Sequence, residues 1–401
     1  MLGYVTKNQK RLQCGITTGT CAAAAAKAAA TRLLLGVDER KISILTPKGI
    51  AVEVEVCCEF ASEQKCTYLV VKESGDDPDV TNHAEIVVTV ERLNTGTGDF
   101  GPEVSESMEN DYFTDESYPN LCLDGGEGVG RITREGLEQR IGQAAINLIP
   151  RQMIFQAVGE VCELADEGKE LLILVTVPKG RELAEHTFNG RLGIEGGISI
   201  LGTSGILEPM SERAIVDTIE TQIRQMQIQG KKNLLITPGN YGQGYAAEYL
   251  GLDLEDSVKC SNYIGETLDL AVCYEMERIL LVGNMGKLVK LAAGIMNTHS
   301  RTADARGEIV ALHTVLCGGS REMAEELMRC INTEQMLEYL NEWNLLPPVI
   351  ESICKKIQEH VSRRAGAGRR CGVFLFSEKF GYLGQTEGAE EILREFQRKG
   401  E

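Results

Sequence analysis

From Lys231 onward the chain repeats one pattern three times: a short apolar strand, a turn rich in Gly or Asn, then a helix. "NLLITPGN" leads into a helix near Tyr245–Leu250, and a strand near Val258–Cys260 leads into "YIGETLDLAVCYEM". "RILLVGN" leads into "MGKLVKLAAGIM". Strands that alternate with helices in this way build a parallel sheet, because each helix carries the chain back across it. Such sheets meet their ligands at the carboxyl ends of the strands. Here those ends are the turns "TPGNYGQG", "CSNYIG" and "VGNMGK", which makes Gly239, Asn240 and Gly283 candidates for cofactor contact. A helical tail follows, and "GVFLF" returns one more strand.

Ahead of Gly230 the rhythm is different. "CGITTGTCAAAAAKAAA" predicts a helix over Thr20–Leu35, since Ala has the highest helix propensity. Thr20 reads as its N-cap, yet no Asp or Glu occupies the first turn to meet the positive end of the helix dipole. "KISILTPKGIAVEVEVCCEF" reads as two strands around a Pro47-Lys48-Gly49 turn, and "CTYLVVK", "AEIVVTVERL" and "ELLILVTVP" read as further strands. Residues 94–123 read as an acidic surface loop with some strand, and 134–167 as mainly helical with a break at "NLIPRQ". "MSERAIVDTIETQIRQMQIQG" reads as an amphipathic helix capped by Ser211 and closed by Gly230. The expectation is an α+β N-terminal domain over residues 1–230, followed by an α/β Rossmann-like C-terminal domain over 231–401.

Composition narrows the function. A net charge of −18 over 401 residues argues against a nucleic-acid binder, which needs a basic face. No run of eighteen apolar residues and no secretory leader is apparent, which predicts a cytoplasmic protein without a membrane span. Thirteen unpatterned Cys and five dispersed His offer no metal-ligand ladder and fit free thiols in a reducing compartment.

Several stretches could carry chemistry, and each has a plain structural reading beside the functional one. Thr17, Thr18 and Thr20 place hydroxyls and backbone N–H groups at a helix start, which is an anion cradle or simply a capped helix. Lys287 and Lys290 lie three apart at the start of another helix, either facing an acidic ligand or solvated. Gly126, Glu127 and Gly128 belong to "DGGEGVGRIT", a glycine-rich loop like those that hold nucleotides or S-adenosylmethionine, although the acidic stretch before it does not read as the strand such a loop requires. Asp76, Asp77 and Asp79 could hold a cation, a ribose or an ammonium group, or form a solvated turn. Arg191 could pair with an acidic substrate or with an internal carboxylate. "NTHSRTADAR" brings His299, Arg301 and Asp304 together, a base with an orienting carboxylate or a surface loop.

Taken in order, "CGITTGTCAAAAAKAA", "GDDPDVT", "GEGVGRIT", "AINLIPRQMI", "RLGIEGGISILGTSGI", "TPGNYG", "CSNYIGE" and "GKLVKLAAGIMNTHSR" resemble the CbiD family of cobalt-precorrin-5B carbon-1 methyltransferases in anaerobic cobalamin synthesis. The resemblance covers residues 14 to 306. It departs at Asn284, where the family pattern implies His, at Asn147-Leu148 for Asn-Pro, and at Gly190 for Pro.

The resemblance implies methyl transfer from S-adenosylmethionine to carbon 1 of a cobalt-bearing tetrapyrrole rimmed with carboxylates. The cobalt then belongs to the substrate, and no protein-bound metal is expected. Partners are these two small molecules, with no nucleic acid or membrane; assembly into a homo-oligomer stays open. His299, oriented by Asp304, is the candidate for any proton handling. Thr17, Thr18, Thr20, Arg191, Lys287, Lys290 and Arg301 are candidates for substrate carboxylates. Two other classes remain: a non-catalytic corrinoid carrier, and a small-molecule kinase using the Thr-Gly-Thr helix start for phosphate.

Overall fold

The alanine run forms helix α1, Thr18–Ala30, and every residue of it except Lys27 is buried. It packs against helix α2 (Leu148–Ala165) and against strands β2 (Lys65–Val71) and β3 (Glu85–Arg92). A helix pressed from both sides needs small side chains, so the Ala run answers a packing demand as well as a propensity. Lys27 pairs with Glu160 of α2 at 2.7 Å. The helix continues as one π-type turn, Thr31–Leu35, and stops at Gly36 with φ +72°.

The computed structural model describes residues 3–7, 9–93, 111–254 and 257–397. The chain divides into two compact units, Met1–Ser211 and Glu212–Glu401. This division falls before the amphipathic helix α3 (Glu212–Ile228), whereas the sequence suggested Gly230. Helix α3 packs on β8 (Ser257–Lys259) and α5 (Ile264–Cys273) of the second unit, which is where its apolar face is covered.

The first unit is built on a six-stranded mixed sheet. Its remaining strands are β1 (Cys57–Ala61), β4 (Phe113–Asp115), β5 (Tyr118–Gly125) and β6 (Leu171–Thr176), in the order β1-β2-β3-β6-β5-β4. Only β5 and β6 run parallel. The predicted acidic loop is therefore partly sheet: 94–110 lies outside the described residues, and β4 and β5 follow. Only Leu121 and Leu123 of β5 are fully buried apolar positions, so its alternation is too short to read. Residues 134–147 are not helical as expected; Gly136 and Gly142 take φ of +106° and +93°, and α2 starts where a break was foreseen. The hairpin Lys41–Leu45 with Ala51–Glu55 forms as predicted around Gly49.

The second unit holds a five-stranded sheet, ordered β8-β7-β9-β10-β11, from β7 (Asn233–Thr237), β9 (Arg278–Asn284), β10 (Arg370–Ser377) and β11 (Gly381–Gln385). The first three pairings are parallel and β11 is antiparallel. Helix α4 (Asn240–Glu248) follows β7, and the short helix α6 (Met285–Leu288) follows β9 and runs on as a 3-10 turn, Val289–Ala293. Among the described residues, no helix is long and apolar enough to cross a membrane, and no cluster of His, Cys, Asp and Glu could hold a metal ion.

Candidate active site

The carboxyl ends of β7, β8 and β9 meet at one ammonium group. Lys287 of α6 donates to the Pro238 carbonyl at 2.7 Å and to the Ser261 carbonyl at 3.3 Å, tying the turn after β7 to the turn after β8. Burial holds its ammonium below the ordinary lysine range; Lys259 and Lys290 push the same way, and Cys260 opposes them. Cys260 is itself fully buried, its thiol pushed up to about 12 by desolvation. Among the described residues no carboxylate forms an ion pair with Lys287. Asn284 caps α6, accepting from the Gly286 N–H at 2.7 Å. At the N-cap of α4, Gly239 has no side chain to bond the helix, and Asn240 Oδ1 accepts from Lys259.

A second strap joins the same edge. The Thr298 N–H donates to the Asn262 carbonyl at 3.0 Å, and Asn297 bridges Tyr263, which places His299 beside the turn after β8. His299 Nδ1 accepts from the Arg301 N–H at 3.1 Å. A neutral imidazole so bonded carries its proton on Nε2, which makes it a donor toward a ligand. The expected base with a carboxylate orienter is thus not what forms. Asp304 instead makes a forked pair with Arg306, whose hydrogen bonds hold its carboxyl below the usual range. Lys290 does not share these carbonyls: it is 2% exposed, and donates to the Thr298 and Ala303 carbonyls at 3.0 and 2.9 Å. It pins the 298–303 loop and is not free to meet substrate. Arg301 remains exposed.

The other sequence candidates fall in the first unit, and most are engaged by protein. The N-cap of α1 is Thr17, which accepts from the Thr20 N–H at 3.2 Å. Thr20 donates to the Gly205 carbonyl at 2.7 Å, and Thr18 both donates to and accepts from Leu201. The Gly19 N–H also reaches the Leu201 carbonyl, at 2.9 Å. The negative group missing from this helix start is therefore a pair of backbone carbonyls from the 201–205 loop. That loop comes close because Gly202, at φ +141°, has no Cβ; one there would lie 2.2 Å from Thr17 Oγ1. The cradle expected for substrate carboxylate or for phosphate is filled.

The 124–131 loop does follow a strand, but no helix follows it and its glycines serve packing. A Cβ at Gly128 would lie 1.8 Å from the Val177 carbonyl oxygen, and one at Gly126 2.6 Å from Thr176. The Gly126 N–H and Glu127 carbonyl bond to Val175 and Val177. Asp124 forks onto Arg131 at 2.8 Å. Gly283 is likewise closed in by Leu288 and Pro238. The three aspartates are taken up internally: Asp76 and Asp77 accept from the Gln13 and Met210 N–H groups, and Asp79 holds the buried Lys72 at 2.6 Å. The ammonium group foreseen for them is the protein's own. Arg191 lies exposed in a 3-10 turn.

Sequence reasoning missed Ser261 and Asn262, although both stand in a strand-end turn it had marked.

The family model CbiD matches residues 5–209, and the model for the CbiD C-terminal domain matches 297–387. The chain belongs to the CbiD family. A relative named cobalt-precorrin-5B C(1)-methyltransferase from Ruminiclostridium cellulolyticum is 41% identical over 98% of this chain and 97% of its own. One of the same name from Alkaliphilus metalliredigens is 36% identical over 99% and 98%. The crystal structure of the cobalamin biosynthesis protein cbiD from Archaeoglobus fulgidus is 27% identical, covering 76% of this chain and 88% of that one, with a TM-score of 0.38.

Proposed function

We propose that this CbiD protein methylates carbon 1 of cobalt-precorrin-5B, giving cobalt-precorrin-6A in anaerobic cobalamin biosynthesis, with the cytoplasm as its place of work. The observation that carries the reading is near-full-length identity of 41% to a relative named for that reaction. S-adenosylmethionine supplies the methyl group as an activated sulfonium. The second unit, read as Rossmann-like, offers it the carboxyl edge of the β7-β8-β9 strands, where Gly239, Asn240 and Lys287 converge.

An electron-rich ring carbon attacks the sulfonium methyl without prior deprotonation, so the protein's tasks are orientation and exclusion of water. The groups at this edge fit that division of labour. Lys287 and His299 Nε2–H are donors, suited to a ligand with carboxylates, and neither acts as a strong base. Exposed Arg301, on the same unit, is a further contact for the substrate rim. Cobalt arrives with the substrate.

The test is anaerobic incubation with cobalt-precorrin-5B and methyl-labelled S-adenosylmethionine, read by mass spectrometry. One labelled methyl on the tetrapyrrole is the expected result. Tetrapyrrole that binds tightly and returns unmethylated would establish a carrier instead.

A further inference from the structure

The turn after β7 holds more positive character than its neighbours balance. Helix α4 is nine residues long and begins at Gly239 with no side-chain cap and no acid in its first turn, so its N-terminal N–H groups and dipole are unmet by side chains. The Lys287 ammonium lies beside it: a Cβ built on Gly239 would lie 3.9 Å from Lys287 Nζ. That ammonium is half-buried and, among the described residues, bonds only to neutral carbonyls, an arrangement that is costly for a charge unless an anion completes it.

An independent observation comes from Thr237, the last residue of β7. It is fully buried, and its hydroxyl has no hydrogen-bond partner among the described residues. Along β7, Leu235 faces the core that holds Tyr245 and Ala246 of α4, and alternation puts Thr237 on that same face. It sits under the first turn of the helix, where a Cβ on Gly242 would lie 3.4 Å from its own. A buried hydroxyl left unpaired beside an uncapped helix start and an ammonium with no carboxylate partner among the described residues marks a place built for a polar ligand.

We propose that the first turn of α4, Gly239 and Lys287 form a carboxylate-binding subsite. A flat carboxylate with two acceptor oxygens fits one ammonium plus backbone N–H donors. The subsite rests on the methyltransferase reading only for the source of the carboxylate. That reading supplies two: the methionyl carboxylate of the donor and the carboxylates on the tetrapyrrole rim.

Two variants test it in the full-length chain. Lys287→Met removes the cation. Gly239→Asp puts a carboxylate of the protein in the same place; Gly239 has extended backbone at φ 164°, which Asp adopts, and Asp is a good N-cap. Calorimetry would measure affinity for S-adenosylmethionine, decarboxylated S-adenosylmethionine and uroporphyrin III, a carboxylate-rimmed tetrapyrrole. Gly239→Asp is expected to raise the melting temperature while weakening binding at least tenfold, and Lys287→Met to weaken it similarly. If the loss is for S-adenosylmethionine and the decarboxylated form binds wild type and variants alike, the donor's carboxylate occupies the subsite. If it is for uroporphyrin III, the substrate's does. A folded Gly239→Asp protein that binds all three as wild type does would overturn the subsite. Should wild type still transfer methyl, the methyltransferase reading survives that result; should transfer fail while uroporphyrin III binding depends on Lys287, the subsite survives instead.

Discussion

Thr20 Oγ1 lies 2.7 Å from the Gly205 carbonyl oxygen, 185 residues away in sequence, and both are sealed inside the first unit. This bond joins the start of α1 to the glycine-rich loop and gives the helix dipole its counter-charge. Thr20→Val keeps the shape and removes the donor, so it should cost about 1–2 kcal/mol, as for a buried hydrogen bond. Thermal melting should fall while affinity for S-adenosylmethionine and tetrapyrrole stays at the wild-type value. Lost affinity with unchanged melting would return the helix start to the list of ligand sites.

What could be read in advance follows from how local each signal is. Helix α1, the 41–55 hairpin and the strand–turn–helix units around Gly239, Ser261 and Asn284 rest on local propensity and periodicity. The tasks of polar residues in the turns do not, because a threonine's or lysine's partner is set by chain folded back from far away. Thr18 meets Leu201, and Lys72 was passed over while the aspartate it holds was noticed. Lys287 and Lys290 looked equivalent at a spacing of three, yet they reach different carbonyls, Pro238 and Ser261 for the first, Thr298 and Ala303 for the second. Strand β5 was hidden because polar residues occupy its first positions.

The glycines separate into two kinds, which mutation should expose. At Gly128 a methyl group would overlap the Val177 carbonyl, and φ is +74°, so Gly128→Ala should cost more than about 4 kcal/mol or prevent folding. Gly239→Ala meets the Lys287 ammonium at an ordinary contact distance of 3.9 Å and should cost only about 0.5–1 kcal/mol, because Ala is a poorer N-cap than Gly. Urea unfolding of both variants distinguishes a loop kept small by packing from a turn kept small for another reason.

The Lys72–Asp79 pair predicts a pH signature. Burial alone would raise the Asp79 carboxyl, but Lys72 at 2.6 Å and the Thr81 N–H and hydroxyl outweigh it, and the net effect is a lowered pKa. A carboxyl depressed in the fold contributes stability above its unfolded value, about pH 4, and loses it as pH falls through the folded value. Asp77 has the opposite sign, since burial raises its carboxyl and its contribution improves on acidification. The informative quantity is therefore wild type minus Asp79→Asn. It should be about 3–5 kcal/mol at neutral pH, because the variant leaves Lys72 buried and unpaired, and should shrink below about pH 4. A difference independent of pH would remove the ion pair as its cause.

Lys290 makes the strongest link between buried structure and activity. Its ammonium holds the carbonyls of Thr298 and Ala303 and lies 3.9 Å from Asp304, so one side chain fixes both ends of the loop that carries His299 and Arg301. Burial lowers its pKa and Asp304 partly restores it. Lys290→Met keeps the apolar stem and deletes the pin, leaving two carbonyls short of a donor at a cost of about 1–3 kcal/mol. The loop should then open more often than the rest of the unit. Trypsin provides the measurement, because Arg301 is exposed on the loop and is a cleavage site in its own right. Cleavage after Arg301 should accelerate at least tenfold over wild type under native conditions, while far-UV circular dichroism remains unchanged. Methyl transfer should fall in parallel, with His299 no longer held beside the turn after β8. Faster cleavage spread evenly over all sites would mean global destabilisation, and Lys290 would then be a core residue with no particular claim on the loop.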